Sequence, residues 1–381
     1  MSEHFNPTTL FKPEVYCQAV KAGNMVFTAG QCSTAPSELS VGKGDPYVQA
    51  RQTYQNVKLA LEAAGASMQD VVRINTYSTL DEYRKIMLGV RKEFFEPPYP
   101  ASTGVVVTGL AYPTFLYEIE VVAILGTRDY YSPSTLYTPV EYSQAVRAGN
   151  IVYAAGNCAT APDRSIVGRG DPHVQARQCY KNLQAALEAA GVRLRDVVKI
   201  GTYSTHPQYQ KILKAARSEF FEPPYPASTD VIITCLARPE YLFEVEAVAV
   251  LGPREYFTLL PSTLSKPDGY SHVVKAGNMV FVSGQHPVAG DGTLVGRGDP
   301  YVQAKQCYQN LRYALEAAGA SLEDVVKINT YSTNEDYRWV LIRSRPEFFQ
   351  PPYPASTGVV VTGLSGPDFM FEVDATAILD R

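Results

Sequence analysis

The sequence predicts an α+β fold made of three copies of one unit, whose element order is ββαβαββ. Two observations support this prediction. The 381 residues contain the same phrases at nearly constant intervals, and within each copy short apolar runs alternate with segments of helical periodicity. Ala-Gly-Asn recurs at 22–24, 148–150 and 276–278, and Tyr-Pro-Ala-Ser-Thr recurs at 99–103, 225–229 and 353–357.

The intervals between copies define three domains. The second copy lies 126 residues after the first, and the third lies 128 residues after the second. The two extra residues fall between Arg254 and Pro261, in one of two connectors rich in Tyr, Pro and Ser, where length variation is tolerated. We therefore expect repeats at 1–128, 129–256 and 257–381.

The first half of each unit combines a hairpin and a helix. In the first copy, apolar runs at 15–22 and 25–29 flank a Gly-Asn turn, which predicts a β-hairpin. A helix follows, because Asp45 is a suitable N-cap, Pro46 suits the first helical position and Gly65 suits the C-terminal end. Apolar residues at helical spacing lie between these signals.

The second half of the unit adds a strand, a helix and two further strands. The segment 71–79 is rich in β-branched residues and predicts a strand. A helix is predicted over 81–95, ending before Pro97. Apolar runs at 102–110 and 116–125 predict the final two strands.

Two helices cannot cover both faces of such a sheet, so one face needs another partner. The other two copies can supply it, which predicts a pseudo-trimer formed within one chain and therefore a monomer. The alternative is three domains joined like beads on a string. The connectors contain many Tyr and Leu residues, among them Leu259 and Leu260, which favours packed connectors and a closed trimer.

Composition excludes several classes of function. Hydrophobic residues make up 45% of the chain and charged residues 19%, which is typical of a globular protein with a large core. A net charge of −4 offers no basic field for nucleic acid. No apolar run approaches the roughly 20 residues of a membrane span, and 1–10 lacks the features of a signal peptide. We expect a small-molecule substrate, and neither a nucleic-acid nor a membrane partner.

The cysteines and histidines indicate no metal site. The six cysteines lack the two-residue spacing of zinc or redox motifs, and the five histidines form no pair at helical spacing. Without a secretion signal, reduced thiols and a cytoplasmic location are expected. The glycine-rich segments match neither a dinucleotide fingerprint nor a phosphate loop, so no cofactor is expected.

Several motifs resemble the Rid (YjgF-type) family of reactive-intermediate deaminases. They occur in the same order in each copy: Tyr-x-Gln-Ala-Val-x-Ala-Gly-Asn-x-Val at 16–26 and 142–152, Ala/Ser-Gly-Gln/Asn at 29–31, 155–157 and 283–285, and Glu-x-Glu/Asp-x-x-Ala at 118–123, 244–249 and 372–377. The resemblance covers essentially all of each copy. It implies a chorismate-mutase-like fold, assembled as a trimer with sheets inward, helices outward and a ligand pocket at each interface.

The resemblance also implies site residues. Members of the deaminase branch hydrolyse enamines and imines without a cofactor, using an Arg that binds the substrate carboxylate, a Glu that positions or activates water, and a Tyr near the mouth. By position, the glutamates are Glu118, Glu244 and Glu372, and the tyrosines are Tyr16, Tyr142 and Tyr270. The glycine of the Ala/Ser-Gly-Gln/Asn motif is Gly30, Gly156 or Gly284.

The family's arginine is missing from all three copies. Where the family pattern reads Pro-Ala-Arg, this chain has Ser102, Ser228 and Ser356. A serine hydroxyl cannot neutralise a carboxylate as a bidentate arginine does. The sequence therefore favours an uncharged enol, enamine or imine as substrate.

The candidate glutamates lie on predicted strands. Glu118 and Glu120 are two residues apart and so share one face. If that face lines a cleft between copies, burial and mutual repulsion would raise one pKa and create a general acid or base. A solvent-exposed polar face is the alternative.

Two positions distinguish the copies. Asp230 stands where the other copies have Gly104 and Gly358, and His286 stands where they have Cys32 and Cys158. Since fused copies can change independently, one pocket can specialise, and Asp230 and His286 are candidates for a general acid/base pair. Drift at an interface position is an equally good explanation.

Three functional hypotheses follow. The first is a cofactor-free enzyme that hydrolyses, tautomerises or cyclises an uncharged enol, enamine or imine, in housekeeping or specialised metabolism, with Glu as general acid/base. The second is 2-imino acid deamination, with the carboxylate bound by an arginine at one aligned position of the second helix: Arg91, Arg217 or Arg345. The third is a non-catalytic ligand-binding or chaperone-like protein.

Overall fold

The computed structural model describes residues 2–258 and 263–379. The predicted connector residues Leu259 and Leu260 lie outside these ranges. Each repeat forms a six-stranded sheet with two helices, and the three sheets are alike in strand order. The α+β class and the three repeated sheet-and-helix units are thus confirmed.

The first repeat contains β1 to β6, α1 and α2. Their bounds are β1 Glu3–Phe5, β2 Ala19–Ala22, β3 Met25–Thr28, α1 Pro46–Ala63, β4 Val71–Ser78, α2 Asp81–Arg91, β5 Ala101–Val106 and β6 Tyr117–Ile124. The sheet order is β1-β2-β3-β6-β4-β5, in which only β4 and β5 run parallel.

The second and third repeats follow the same plan. The second contains β7 Asp129–Tyr131, β8 Ala145–Ala148, β9 Ile151–Asn157, α3 Pro172–Ala189, β10 Val197–Ser204, α4 Pro207–Arg217, β11 Ala227–Ile232 and β12 Phe243–Val250. The third contains β13 Arg254–Phe257, β14 Val273–Ala276, β15 Met279–Gln285, α5 Pro300–Ala317, β16 Val325–Ser332, α6 Glu335–Ser344, β17 Ala355–Val360 and β18 Phe371–Ile378.

Each repeat has one strand more than the predicted ββαβαββ order. The additional strands are the short edge strands β1, β7 and β13, which pair antiparallel with β2, β8 and β14. Three or four residues at a sheet edge carry too little alternation to be recognised from the sequence. Because β13 pairs with β14, the third sheet begins at Arg254, three residues before the predicted boundary.

The first helix of each repeat begins and ends at the predicted signals. The Asp45 side chain accepts hydrogen bonds from the backbone N–H groups of Tyr47 and Val48, and Pro46 is the first helical residue. Gly65, just beyond the helix, has a φ of +75°, a conformation that favours glycine. The capping residues of the helix therefore define where it begins and ends, and the helix packs on β6.

Backbone hydrogen bonds close the three repeats into a ring. The N–H groups of Ser143, Ser271 and Cys17 donate to the carbonyls of Pro100, Pro226 and Pro354, each in the neighbouring repeat and each at 3.0 Å. One hydrophobic core is shared by the sheets of all three repeats, and a separate core lies between the helices and sheet of each. The chain is thus a pseudo-trimer with sheets inward and helices outward.

Three ion pairs, here called the axial ion pairs, link the repeats at the centre. Arg73 pairs with Glu246, Lys199 with Asp374, and Lys327 with Glu120. The nitrogen–oxygen distances are 2.5, 3.3 and 2.7 Å, and all three acids are buried. These six residues surround a central cavity of about 60 Å³. Glu120, predicted to share a face with Glu118, therefore points to the axis.

Within the described ranges, no helix is both long and apolar enough to cross a bilayer. The same ranges contain no group of three or more His, Cys, Asp or Glu residues arranged to hold a metal ion.

We expect Glu120→Gln to destabilise the protein by about 3–5 kcal/mol, because it leaves the buried Lys327 ammonium without its counter-ion. Calorimetric melting temperatures measure the change. Glu219→Gln is the control, since it breaks the exposed Arg177–Glu219 pair and should change the melting temperature little. An equal, small effect of both substitutions would contradict a stabilising role for the axial ion pairs.

Candidate functional site

Each junction between repeats forms one candidate pocket around a glutamate. Pocket A lies between repeats 1 and 3 and contains Glu118. Pocket B lies between repeats 2 and 1, at Glu244, and pocket C lies between repeats 3 and 2 and contains Glu372. The three glutamates are buried, with 1–5% of each side chain exposed. The exposed polar face considered from the sequence is thus not observed.

A glycine is required beside each glutamate. A Cβ atom on Gly30 would lie 1.8 Å from Glu118 Oε1, and the corresponding distances are 1.7 Å at Gly156 and 1.6 Å at Gly284. No side chain fits at such a distance, so these glycines allow the carboxylates to lie against the backbone. The predicted binding glycines therefore have a packing role in all three pockets.

Glu118 in pocket A combines burial with one free oxygen. Its Oε1 accepts a hydrogen bond of 3.3 Å from the Gly358 N–H, while its Oε2 is buried without a hydrogen-bond partner among the described residues. Burial raises the pKa of Glu118 to about 7, although the Arg338 guanidinium and the Gly358 N–H act in the opposite direction. A carboxyl with this pKa can both accept and donate a proton near neutral pH.

Arg338 supplies positive charge to the same pocket. Its Nε donates to the Gly358 carbonyl at 3.2 Å, and its Nη1 is buried without a partner among the described residues. The backbone of Gly358 therefore contacts the glutamate through its N–H and the arginine through its C=O. Arg338 lies on α6, and Arg345 follows the last residue of that helix.

Two of the three arginines that the sequence offered as a replacement anchor contact the neighbouring repeat. Arg91 donates to Ser102 Oγ at 3.0 Å and to the Glu141 carbonyl at 3.2 Å, and Arg345 donates to the Val15 carbonyl at 3.2 Å. Arg217 instead contacts Ser228 and Asp230 of its own repeat. Arg345 also lines pocket A, as Arg338 does.

Pocket A is a cavity of about 210 Å³ with mixed polar and aromatic walls. Tyr16, Gly30 and Ser356 line it, as the sequence predicted for one repeat interface. Burial, reinforced by the nearby Cys32 and Glu118, raises the pKa of the Tyr16 hydroxyl, which therefore stays protonated. The apolar wall is formed mainly by Phe11, Leu39, Tyr112, Phe115 and Trp339.

At pocket B, a space of about 20 Å³ lies within repeat 2, lined by residues that include Tyr142, Gly156 and Cys158 and large enough for about one water molecule. Arg84, the counterpart of Arg338, donates to the Ala237 carbonyl at 3.0 Å. Burial, together with the charge of Glu246, raises the pKa of Glu244 to about 8.

Pocket C is larger, at about 350 Å³, and it brings His286 close to Glu372. His286 Nε2 lies 3.2 Å from Glu372 Oε2 and 3.0 Å from Ser365 Oγ. Burial alone would lower the pKa of His286, but the Glu372 carboxylate outweighs it and raises that pKa. Burial raises the pKa of Glu372 despite the opposing charge of His286.

The two residues unique to their copies, Asp230 and His286, both line pocket C together with Tyr270. Asp230 accepts hydrogen bonds from Thr202 and Ser228 and pairs with Arg217 at 3.4 Å. Burial would raise the pKa of Asp230, but Arg217 and these hydroxyls hold it below its ordinary value. Asp230 is thus held as a carboxylate by its own repeat.

Sequence reasoning missed Arg338 and Trp339. The available signal was the comparison of aligned positions. Arg338 aligns with Arg84 in repeat 1 and Gln210 in repeat 2, and Trp339 aligns with Lys85 and Lys211. The changes to Gln210 and Trp339 resemble ordinary variation on the surface of a helix. Only the packing of α6 against repeat 1 turns them into differences between pockets.

One family model matches this chain three times in tandem. The model described as endoribonuclease L-PSP matches residues 11–125, 133–251 and 262–379. The chain belongs to the endoribonuclease L-PSP family. This result confirms the resemblance to Rid (YjgF-type) proteins and the presence of three tandem copies.

Individual relatives of this family match one repeat at a time. A RutC family protein of Pyrococcus horikoshii is 40% identical over 109 residues, which are 28% of this chain and 85% of that protein. A protein of Dermatophagoides farinae named 2-iminobutanoate/2-iminopropanoate deaminase is 30% identical over 110 residues, or 29% of this chain and 85% of its own length.

One solved structure matches more of the chain than a single repeat. The crystal structure of a chorismatase has a TM-score of 0.55 and 13% identity, and the match covers 81% of this chain and 93% of that one. At this identity the likeness shows the fold alone. It supports the chorismate-mutase-like fold that the sequence resemblance implied.

The raised pKa of Glu118 should make stability depend on pH. The folded pKa is about 7 and the ordinary value is 4.5, so this group's contribution is complete below pH 4.5 and is lost as pH rises through 7. Glu118→Gln removes this dependence, which is on the order of 3 kcal/mol. Unfolding curves between pH 4.5 and 8 measure the difference.

The exposed Glu62 provides the control for this measurement. Glu62→Gln should give unfolding free energies that stay parallel to those of the unmodified protein across the pH range. If Glu118→Gln also gave a parallel curve, the carboxyl of Glu118 would not have a raised pKa.

Proposed function

We propose that the protein is an enzyme that hydrolyses a small enamine or imine bearing a carboxylate, that the reaction occurs in pocket A, and that it needs no cofactor. The observation that carries this proposal is the pair of groups around Gly358. Glu118 and Arg338 each bind one side of the Gly358 backbone, and each keeps one buried polar atom without a partner among the described residues. A ligand with a carboxylate and a polarised C=N group would satisfy both atoms.

Arg338 changes the substrate class favoured by the sequence. Ser356 cannot bind a carboxylate as an arginine does, which pointed to an uncharged substrate. Arg338 brings a guanidinium to the same pocket from a different element, α6. An arginine recognises a carboxylate through two parallel N–H donors, so a 2-imino acid is better supported than an uncharged imine.

The proposed reaction needs only water and one acid/base group. Glu118 in its carboxylate form takes a proton from a water molecule as the water oxygen attacks the carbon of the protonated imine, and the C=N electron pair moves to nitrogen to give a neutral carbinolamine. The protonated Glu118 then gives this proton to the amino nitrogen, and the C–N bond breaks with its electron pair leaving on ammonia. The carboxylate takes up the carbinol O–H proton as the C=O bond forms, and passes it to the released ammonia, so that a ketoacid and ammonium leave. An enamine first gains a proton at carbon to become the imine. The raised pKa of Glu118 suits both steps.

The name of one relative is consistent with this reaction. A Dermatophagoides farinae relative is named as an imine deaminase, and it matches a single repeat. Endoribonuclease activity, which the family's description mentions, is not proposed, because a net charge of −4 offers no counter-charge to a phosphate backbone. One chain would suffice, since each of the three interfaces forms within it.

We expect Glu118→Gln to lower kcat/KM for a 2-imino acid by about 10²–10⁴-fold, the usual effect of removing a general acid/base. Arg338→Gln, which introduces the residue of the second repeat at Gln210, should lower it by about 10–100-fold through loss of the carboxylate contact. The assay follows ketoacid and ammonia released from an imine made in situ by an amino-acid oxidase.

Glu244→Gln and Glu372→Gln are the matched variants for the other two pockets. Equal losses in all three glutamine variants would contradict the assignment to pocket A. Activity unchanged in Glu118→Gln would exclude it as the acid/base group. Ligand binding without turnover would support the alternative of a binding protein, and turnover of uncharged imines unaffected by Arg338→Gln would support an uncharged substrate.

We propose that His286, with Glu372, forms a separate acid/base pair in pocket C, to which Asp230 contributes through its negative charge. His286→Cys and Asp230→Gly restore the residues of the other repeats, so both should fold normally. If pocket A alone hydrolyses imines, neither change lowers that activity by more than about twofold, while any second activity in pocket C is lost. A large loss of imine hydrolysis in either variant would show that pocket C takes part in it.

A further inference from the structure

We propose that pocket A selects a ligand that joins a flat aromatic ring to a carboxylate by a short chain. This inference rests on the proposed function for its reaction, and it names the side chain of the substrate. The corresponding substrate is the imine or enamine of an arylalkyl 2-ketoacid.

The apolar wall of pocket A is built from aromatic rings. The Trp339 and Tyr112 rings lie edge to face with centroids 5.2 Å apart, and Tyr112 and Phe115 lie edge to face at 5.4 Å. All three line the cavity. Such a wall contributes about 0.5–1.5 kcal/mol per ring pair beyond area burial when another ring packs against it. A flat aromatic side chain therefore fits this wall better than an alkyl chain.

The fold does not require this wall. At the position of Trp339 the other repeats have Lys85 and Lys211, and at the position of Tyr112 they have Arg238 and Gly366. Lys211 lines pocket C, where the wall is charged. The aromatic residues thus distinguish pocket A from its sister pockets.

The dimensions and polarity of the cavity match one aromatic carboxylate. A cavity of roughly 150 Å³ accepts benzene, so about 210 Å³ accommodates a ring and a short polar chain. Arg338 and Trp339 are consecutive on α6, and the Arg338 guanidinium lies 5.3 Å from the Trp339 ring centre. The anion-binding group and the aromatic wall are therefore adjacent, which requires a short link between ring and carboxylate.

The binding test uses unreactive probes. Calorimetry compares 3-phenylpropanoate with propanoate, which lacks the ring, and with 3-phenylpropan-1-ol, which lacks the carboxylate. We expect 3-phenylpropanoate to bind at least about tenfold more tightly than either. Trp339 is the one Trp in the chain, so its fluorescence should change on binding and report occupancy of pocket A directly.

Variants taken from the sister repeats make the test specific. Trp339→Lys and Tyr112→Arg should each lower the ratio of 3-phenylpropanoate affinity to propanoate affinity about tenfold, because the added cation attracts both carboxylates alike while the ring contact is lost. Lys85→Ala, at the position equivalent to Trp339 in repeat 1, should change neither. Equal affinity for propanoate and 3-phenylpropanoate, or no effect of either aromatic variant, would overturn the inference.

Turnover separates this inference from the proposed function. We expect kcat/KM to be higher for the imine derived from phenylalanine than for the one derived from alanine, and the ratio to fall about tenfold in Trp339→Lys. Equal turnover of both imines would refute the aromatic preference and leave imine hydrolysis intact. Selective binding of 3-phenylpropanoate without turnover of any imine would refute the proposed function and leave the aromatic ligand class intact.

Discussion

The closed ring of three repeats depends on the axial ion pairs. Arg73, Lys199 and Lys327 each reach across a repeat boundary to a buried acid of a neighbouring repeat, so the charge balance of every repeat is completed by another. Such pairs add little net stability compared with apolar packing, but an incorrect alignment of repeats would leave charges buried without partners. We infer that they fix the register in which the sheets meet. Pockets A and C follow from this register, because each consists of residues from two repeats.

The glutamates illustrate how one strand serves two purposes. Glu118 and Glu120 lie on the same face of β6, yet Glu120 pairs with Lys327 at the axis and Glu118 reaches pocket A. The Gly30 position lets the Glu118 side chain lie against the backbone, where burial raises its pKa to about 7. Glu120, which is ion-paired, contributes to assembly of the repeats. Glu118 has the raised pKa that the proposed acid/base reaction needs.

Fusion of the repeats explains why the pockets differ. In a trimer of identical chains every substitution occurs in all three subunits. Here Trp339, Asp230 and His286 each occur in one repeat, and the aligned positions of the other two repeats hold different residues. At the Glu244 junction Arg84 donates to the Ala237 carbonyl, and in pocket C His286 lies against Glu372. In pocket A, Glu118 Oε2 and Arg338 Nη1 have no partner among the described residues and lie beside an aromatic wall. The same backbone thus carries three different chemical environments, and the differences lie in side chains at aligned positions.

The sequence by itself determined the repeats, the helices with their Asp caps and most strands, because these depend on local patterns that recur three times. The resemblance to a known family pointed to the glutamates Glu118, Glu244 and Glu372. The sequence did not reveal the short edge strands, whose pairing supplies most of their stability. Nor did it reveal that Arg338 brings a guanidinium to a pocket whose own strand has Ser356. Only the tertiary structure decided this point, since Arg338 lies 220 residues from Glu118 and the two meet only when the ring closes.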